Sequence, residues 1–131
     1  MKDWVPEIEK QSQADIVALQ EKKLQEVLAY VNEHSAFYER LFKEHNINVS
    51  AIKTLSDLTK LPTTCKDDLQ RDNDAFRCVP KSAIVDYAST SGTLGTPVTF
   101  GLTDNDLNRL AYNEAISLAC AGIKKGDVVQ L

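Results

Sequence analysis

At 131 residues the chain is long enough for one small domain. Its composition, 43% hydrophobic and 26% charged, is that of an ordinary globular protein and excludes disorder along the whole length. A net charge of −4 argues against a dedicated nucleic-acid binder, which needs a basic face to neutralise phosphates. No stretch approaches the ~20 apolar residues of a membrane span, and the first ten residues hold no apolar run of signal-peptide length.

The opening 1–11, with Trp4 and Pro6, reads as an irregular lead-in. From Gln13 the apolar spacing predicts a helix over 13–31. Val17, Leu24, Leu28 and Val31 share its inner face, Ile16, Gln20 and Val27 lie at the edges, and Glu21, Lys22, Lys23 and Glu26 fall mostly elsewhere. Ser35 is placed to cap a shorter helix whose Phe37, Tyr38, Leu41 and Phe42 pack on the first. His34 and His45 sit in no metal-ligand spacing and read as surface or helix-end residues. Residues 47–60 read as a loop with a short helix around 56–58. Leu61-Pro62 then forces extended backbone. Thr64 with Asp67 has the spacing of a capping box for a helix over 65–71.

After Pro80 the period changes. Ile84, Val85 and Tyr87 predict a strand over 83–88, and Val98-Thr99-Phe100 a second β-run. Tyr87 is expected to pack a strand face. Thr103 with Asp106 caps a helix over 104–120. Leu107, Leu110, Ala111, Ala115 and Leu118 form its apolar stripe, and Gly122 stops it. Val128 to Leu131 reads as a further buried strand, and its position at the end of the sequence makes the chain a fragment of a longer protein. The expected fold class is α/β: a mainly helical segment over 1–80, then the start of a larger α/β domain over 81–131. The three cysteines, Cys65, Cys78 and Cys120, match no disulfide or zinc framework and read as buried or idle thiols in the cytoplasm.

Residues 89–97, Ser-Thr-Ser-Gly-Thr-Leu-Gly-Thr-Pro, carry the one dense chemical signal. Five hydroxyls and two glycines stand between two β-runs. Glycines let backbone approach an anion, successive N–H groups form an anion-binding concavity, and hydroxyls donate to phosphate oxygens. The run is neither a Walker A loop nor a dinucleotide fingerprint. Its Gly92-Thr93-Leu94-Gly95 has the GxxG form of a KH loop, but between strands and without basic residues. By composition alone, a Ser/Thr/Gly run of this kind is most often a solvated hairpin connection.

Thr90 to Pro97 resembles the [ST]-S-G-[ST]-T-G-x-P phosphate loop of adenylate-forming enzymes, with Leu94 for the second threonine and Thr96 where many members carry lysine. Further segments resemble, in order, landmarks of the phenylacetate–CoA ligase family. Upstream these are Ser35-Ala36-Phe37-Tyr38, Leu41-Phe42, Leu55-x-Asp57-Leu58, Leu61-Pro62-Thr63-Thr64 and Lys66-Asp67-Asp68-Leu69. Ala88 precedes the loop, and Thr103-x-x-Asp106-Leu107, Ala121-Gly122 and Gly126-Asp127-Val128 follow it. The resemblance covers nearly the whole chain. It implies the N-terminal part of an ATP-dependent acid–CoA ligase, acting on an aryl acid such as phenylacetate. Thr90, Ser91, Gly92, Thr93 and Gly95 would contact the β- and γ-phosphates, with Leu94 and Thr96 completing the loop.

The implied cofactors are ATP, Mg²⁺ shared between the phosphates, and coenzyme A. The implied partners are a small-molecule carboxylic acid and the remainder of the ligase chain, with a homodimer left open and neither nucleic acid nor membrane involved. Catalytic residues and metal ligands are not identifiable in these 131 residues. The segment carrying the family's Mg²⁺-binding glutamate and the C-terminal lysine is absent, so the chain alone is expected to be inactive. The competing readings are a non-catalytic helical interaction module built on 13–31 and an inactive remnant of such a ligase.

Overall fold

A 22-residue amphipathic helix, α1 (Gln13–His34), organises the N-terminal half. The structure is a computed structural model and describes residues 7–91, 97–124 and 126–130. The expectations at 1–6, at Gly92, Thr93, Leu94, Gly95 and Thr96, and at Lys125 and Leu131 therefore lie outside the described residues. Ser12 caps α1 by accepting the Asp15 N–H at 3.2 Å. Leu28 is buried, and Val17, Leu24 and Val31 are half-buried, on the predicted face. Glu21, expected off this face, lies on it. Its carboxylate accepts the Leu55 N–H at 3.2 Å, which gives a polar group in the stripe a partner.

Ser35 ends α1 and begins α2 (Ala36–Glu44). Its N–H donates to the Val31 carbonyl at 3.0 Å, and its Oγ accepts the Tyr38 N–H at 3.4 Å. At the other end of α2, Asn46 takes a left-handed conformation (φ 53°). Asn46 N–H bonds Lys43 O and Ile47 N–H bonds Phe42 O, a Schellman closure. The closure drops Ile47 onto the core of Leu28, Phe42 and Ile52, with Leu24, Val31, Tyr38, Val49 and Leu61 around it. Each such large apolar side chain contributes roughly 1.5–3 kcal/mol on burial. The aromatic cluster of α2 thus packs as core, as expected, and both histidines are helix-end residues.

Short turns carry the chain from this core towards the sheet. The 3₁₀ turn Leu55–Lys60 is fixed by Asp57, which accepts from the Lys53 and Thr54 N–H groups and the Thr54 hydroxyl. Helix α3 (Lys66–Arg71) starts one residue later than expected. Its cap is Cys65 with Asp68, not Thr64 with Asp67, because the Asp68 carboxylate accepts the Cys65 N–H at 2.9 Å. Cys65 and Cys120 are exposed rather than buried, and Cys78 is half-buried.

The 3₁₀ turn Asn73–Phe76 comes next. Phe76 stacks on Phe37 with ring centroids 3.8 Å apart, and the Ser35 hydroxyl donates to the Ala75 carbonyl at 2.9 Å. A further turn after Pro80, Lys81–Ala83, delays the strand that sequence placed at 83. Strand β1 spans Asp86–Ser89 and pairs antiparallel with β2, Thr99–Leu102.

Helix α4 (Asp104–Cys120) has the predicted bounds, with Thr103 and Asp106 forming the capping box. Gly122 (φ 86°) closes it, Gly122 N–H bonding Ala119 O and Ile123 N–H bonding Leu118 O. No residue of α4 is buried, and Leu107, Leu110 and Leu118 of its stripe stay exposed. The strand expected at 128–131 does not form over 128–130. Among the described residues no backbone pairs with it, and Val128 is 98% exposed.

Two predictions follow from these caps. Ser35→Ala removes one cap and leaves the Ala75 carbonyl without its partner, so it should lower unfolding free energy by about 1–3 kcal/mol, measured by denaturant titration. The second concerns acid. Lys60, then the Lys53 and Thr54 N–H groups, hold Asp57 below the usual carboxylate range. Cys65 N–H does the same for Asp68 and Thr103 N–H for Asp106. A depressed folded pKa contributes stability above the ordinary carboxylate value, lost as pH falls through the folded value. The triple Asn variant at 57, 68 and 106 should therefore show a flatter fall of melting temperature below about pH 4 than the parent.

Candidate functional site

The Ser/Thr/Gly run is the connection of the β1–β2 hairpin. Paired residues are Asp86 with Leu102, Tyr87 with Gly101, Ala88 with Phe100 and Ser89 with Thr99. Ser89, assigned by sequence to the loop, is thus the last residue of a strand. The hairpin continues one step further: Thr90 N–H donates to Val98 O at 3.0 Å. In return, Val98 N–H donates to the Thr90 side-chain Oγ1 at 3.1 Å. The Ser89 and Thr99 hydroxyls face each other at 3.1 Å, as expected for side chains in a pair without backbone bonds.

Two hydroxyls of the run, those of Ser89 and Thr90, are thus engaged with protein groups. They clamp the mouth of the connection. At Thr90 the engagement is one-sided: its oxygen accepts from Val98, and its own O–H is a donor. A donor at the mouth suits an anion. Thr90 and Ser91 are the two expected site residues that lie within the described residues, and both are exposed there. Val98, directly across from Thr90, is 2% exposed and anchors the returning strand.

One residue holding the mouth was missed by the sequence reading. Thr99 N–H points away from β1 and donates to Asn73 Oδ1 at 3.2 Å, across 26 residues of chain. Nothing in the local pattern at 72–74 marks that contact. Below the hairpin, a cavity of about 680 Å³ separates the sheet from the helices. Tyr87, Thr99 and Gly101 line it from the sheet; Tyr30, Tyr38 and Phe76 line it from the helical side. Gly101 leaves room that Ile84 fills, since a Cβ there would stand 2.6 Å from Ile84 Cδ1. Tyr87 is exposed and borders this cavity rather than packing closed against the helices. Among the described residues, no group of three or more His, Cys, Asp or Glu side chains could hold a metal ion. No helix among them is long and apolar enough to cross a membrane.

The helical half and the hairpin together form the fold found in the N-terminal part of adenylate-forming acid–CoA ligases. The solved structure of a 2-hydroxyisobutyryl-CoA ligase, in complex with 2-HIB-AMP and CoA in the thioesterification state, superposes with a TM-score of 0.81 at 32% identity. That match covers 89% of this chain and 26% of the ligase. An open conformation of the same enzyme gives 0.79 at 31% identity. Within this class, the sequence is related to the phenylacetate–coenzyme A ligases. It is 39% identical over 125 residues to that of Thermus thermophilus and 36% identical over 126 residues to that of Escherichia coli. It spans 28% of the length of the Thermus relative. No protein-family model matches the chain.

The clamp at the mouth makes a specific prediction. Thr90→Val removes the acceptor for Val98 N–H, whereas Thr90→Ser keeps it. The Val98 amide should lose hydrogen-exchange protection in Thr90→Val, by about five-fold for a bond of ~1 kcal/mol, and retain it in Thr90→Ser.

Proposed function

We propose that this chain supplies the nucleotide-phosphate loop of an ATP-dependent carboxylic acid–CoA ligase. The observation that carries the reading is the position of the Ser/Thr/Gly run: it is the connection of a clamped hairpin in a chain related to acid–CoA ligases. In the reaction, a carboxylate oxygen attacks the α-phosphorus of ATP, giving acyl-adenylate and pyrophosphate. Coenzyme A thiolate then attacks the acyl carbon, forming the thioester and releasing AMP. The acid is an aryl acid such as phenylacetate, and the enzyme is cytoplasmic.

The first step asks the protein mainly for positioning and for stabilising charge on the departing pyrophosphate. Thr90, Ser91, Gly92, Thr93, Leu94, Gly95 and Thr96 are the residues that would supply hydroxyl and backbone N–H donors to the β- and γ-phosphates. Thr90 fits this role in that its hydroxyl, which accepts the Val98 N–H, has no acceptor for its own proton among the described residues. Thr96 stands where the resemblance to adenylate-forming enzymes implies a lysine in many members, and Mg²⁺ bound with the nucleotide would supply the charge that a threonine does not.

The test is acid-dependent ATP–pyrophosphate exchange by the complete ligase that carries this sequence, over a panel of aryl and short aliphatic acids. Exchange should be strongest with aryl acids. Gly95→Val, which places a side chain where backbone must approach phosphate, should lower exchange by about a hundred-fold or more. Thr96→Ala, which removes one neutral hydrogen bond, should cost less than about ten-fold. Gly95→Val exchanging as fast as the parent would remove the loop from the mechanism. The 131-residue chain alone should show no exchange.

A further inference from the structure

The hairpin mouth is held from outside by a residue that the loop motif does not contain. Because Thr90 N–H bonds the Val98 carbonyl and Val98 N–H turns back to the Thr90 hydroxyl, the next pair, Ser89 and Thr99, has its N–H groups directed away from each other. The outward N–H of Thr99 meets Asn73 Oδ1 at 3.2 Å. Asn73 opens the turn Asn73–Phe76, which Phe37 stacking and the Ser35–Ala75 bond fix to α2. The Asn73 side chain therefore ties the start of β2 to a turn that packs on α2.

The neighbours of Asn73 sharpen the point. Asp72 lies 3.8 Å from Arg40, while Asp74 pairs with Arg77 at 3.1 Å and Lys81 at 3.3 Å. Of three consecutive polar residues, the two acids face cations, and the neutral amide faces the mouth. A carboxylate would accept the Thr99 N–H equally well, but it would add negative charge beside a loop that receives polyphosphate.

We infer that Asn73 is a positioning residue for nucleotide. It holds Thr99, and with it the mouth formed by Ser89, Thr90 and Val98, in place without adding charge. This rests on the phosphate-loop reading above. Two variants separate its two properties. Asn73→Leu loses the acceptor; Asn73→Asp keeps it and adds the charge.

The experiment combines hydrogen exchange at the Thr99 amide with steady-state kinetics of the complete ligase, varying ATP, acid and coenzyme A in turn. In Asn73→Leu, Thr99 protection should fall and KM for ATP should rise about three- to ten-fold, with KM for acid and coenzyme A within about two-fold. In Asn73→Asp, Thr99 protection should persist. KM for ATP should still rise, and that rise should shrink as ionic strength increases. Equal effects on all three substrates, or an Asn73→Asp enzyme with unchanged KM for ATP at low salt, would overturn the inference while leaving the phosphate loop standing. A parent enzyme without acid-dependent exchange would overturn the proposed function and the inference with it.

Discussion

The hydroxyl of Ser35 is the contact on which the rest of the arrangement depends. The residue is 1% exposed, and each of its polar groups has a partner: its N–H closes α1, its oxygen caps α2, and its proton goes to the Ala75 carbonyl. A buried hydroxyl has few ways to be satisfied, so this one fixes the angle between two helices and the position of a third segment together. That third segment carries Phe76 onto Phe37 and Asn73 onto Thr99. The geometry of the hairpin mouth is thus set, through two side-chain bonds, by a helix junction 54 residues earlier in sequence than Ser89.

Such dependence is what a two-stranded hairpin requires. An isolated pair of strands is marginal in water, and β1 is exposed at every position. Its order is borrowed: Val98 is buried, Ile84 covers Gly101, and α4 follows directly from β2 through the Thr103 capping box. Packing energy is concentrated around Leu28, Phe42 and Ile52, while the described ends of the Ser/Thr/Gly run lie in the β1–β2 hairpin, away from that cluster. Apolar side chains of α4, of the sheet and of the residue before β1, among them Leu110, Leu118, Phe100 and Val85, remain exposed. The chain spans little more than a quarter of its Thermus relative. Within its own residues, therefore, the helical half is the better determined.

Helices were legible where a 3.6-residue stripe coincided with a cap. The bounds of α4 follow from Thr103, Asp106 and Gly122, and Ser35 was visible as a cap before its burial was known. The segments that resemble ligase landmarks prove largely to be this punctuation: Ser35, Asp57, Asp68 and Asp106 each end or start an element. What stayed hidden is long-range. Glu21 sits on the apolar stripe because Leu55 N–H needs an acceptor, and Asn73 reaches Thr99 because an edge N–H does. Periodicity carries no information on either demand. The expected strand at 128–130 failed for the converse reason. Its apolar residues meet the sequence criterion, but strand formation needs a pairing partner, and none lies beside it among the described residues.

The absence of a cation from the Ser/Thr/Gly run changes what the surrounding structure must do. A lysine attracts phosphate over several ångströms and tolerates imprecise placement, because a point charge has no preferred direction. Hydroxyl and N–H donors act only within about 3 Å and near linearity. A loop that relies on them must start from ends held in the correct separation, or ordering those ends on binding consumes much of what the bonds supply. The described ends meet this condition. Ser89 is tied to Thr99, Thr90 to Val98, and Thr99 to Asn73, each by a hydrogen bond of 3.0–3.2 Å. At position 96 this chain has a threonine rather than a cation, and the described mouth of the run is tied to the helical part through Asn73.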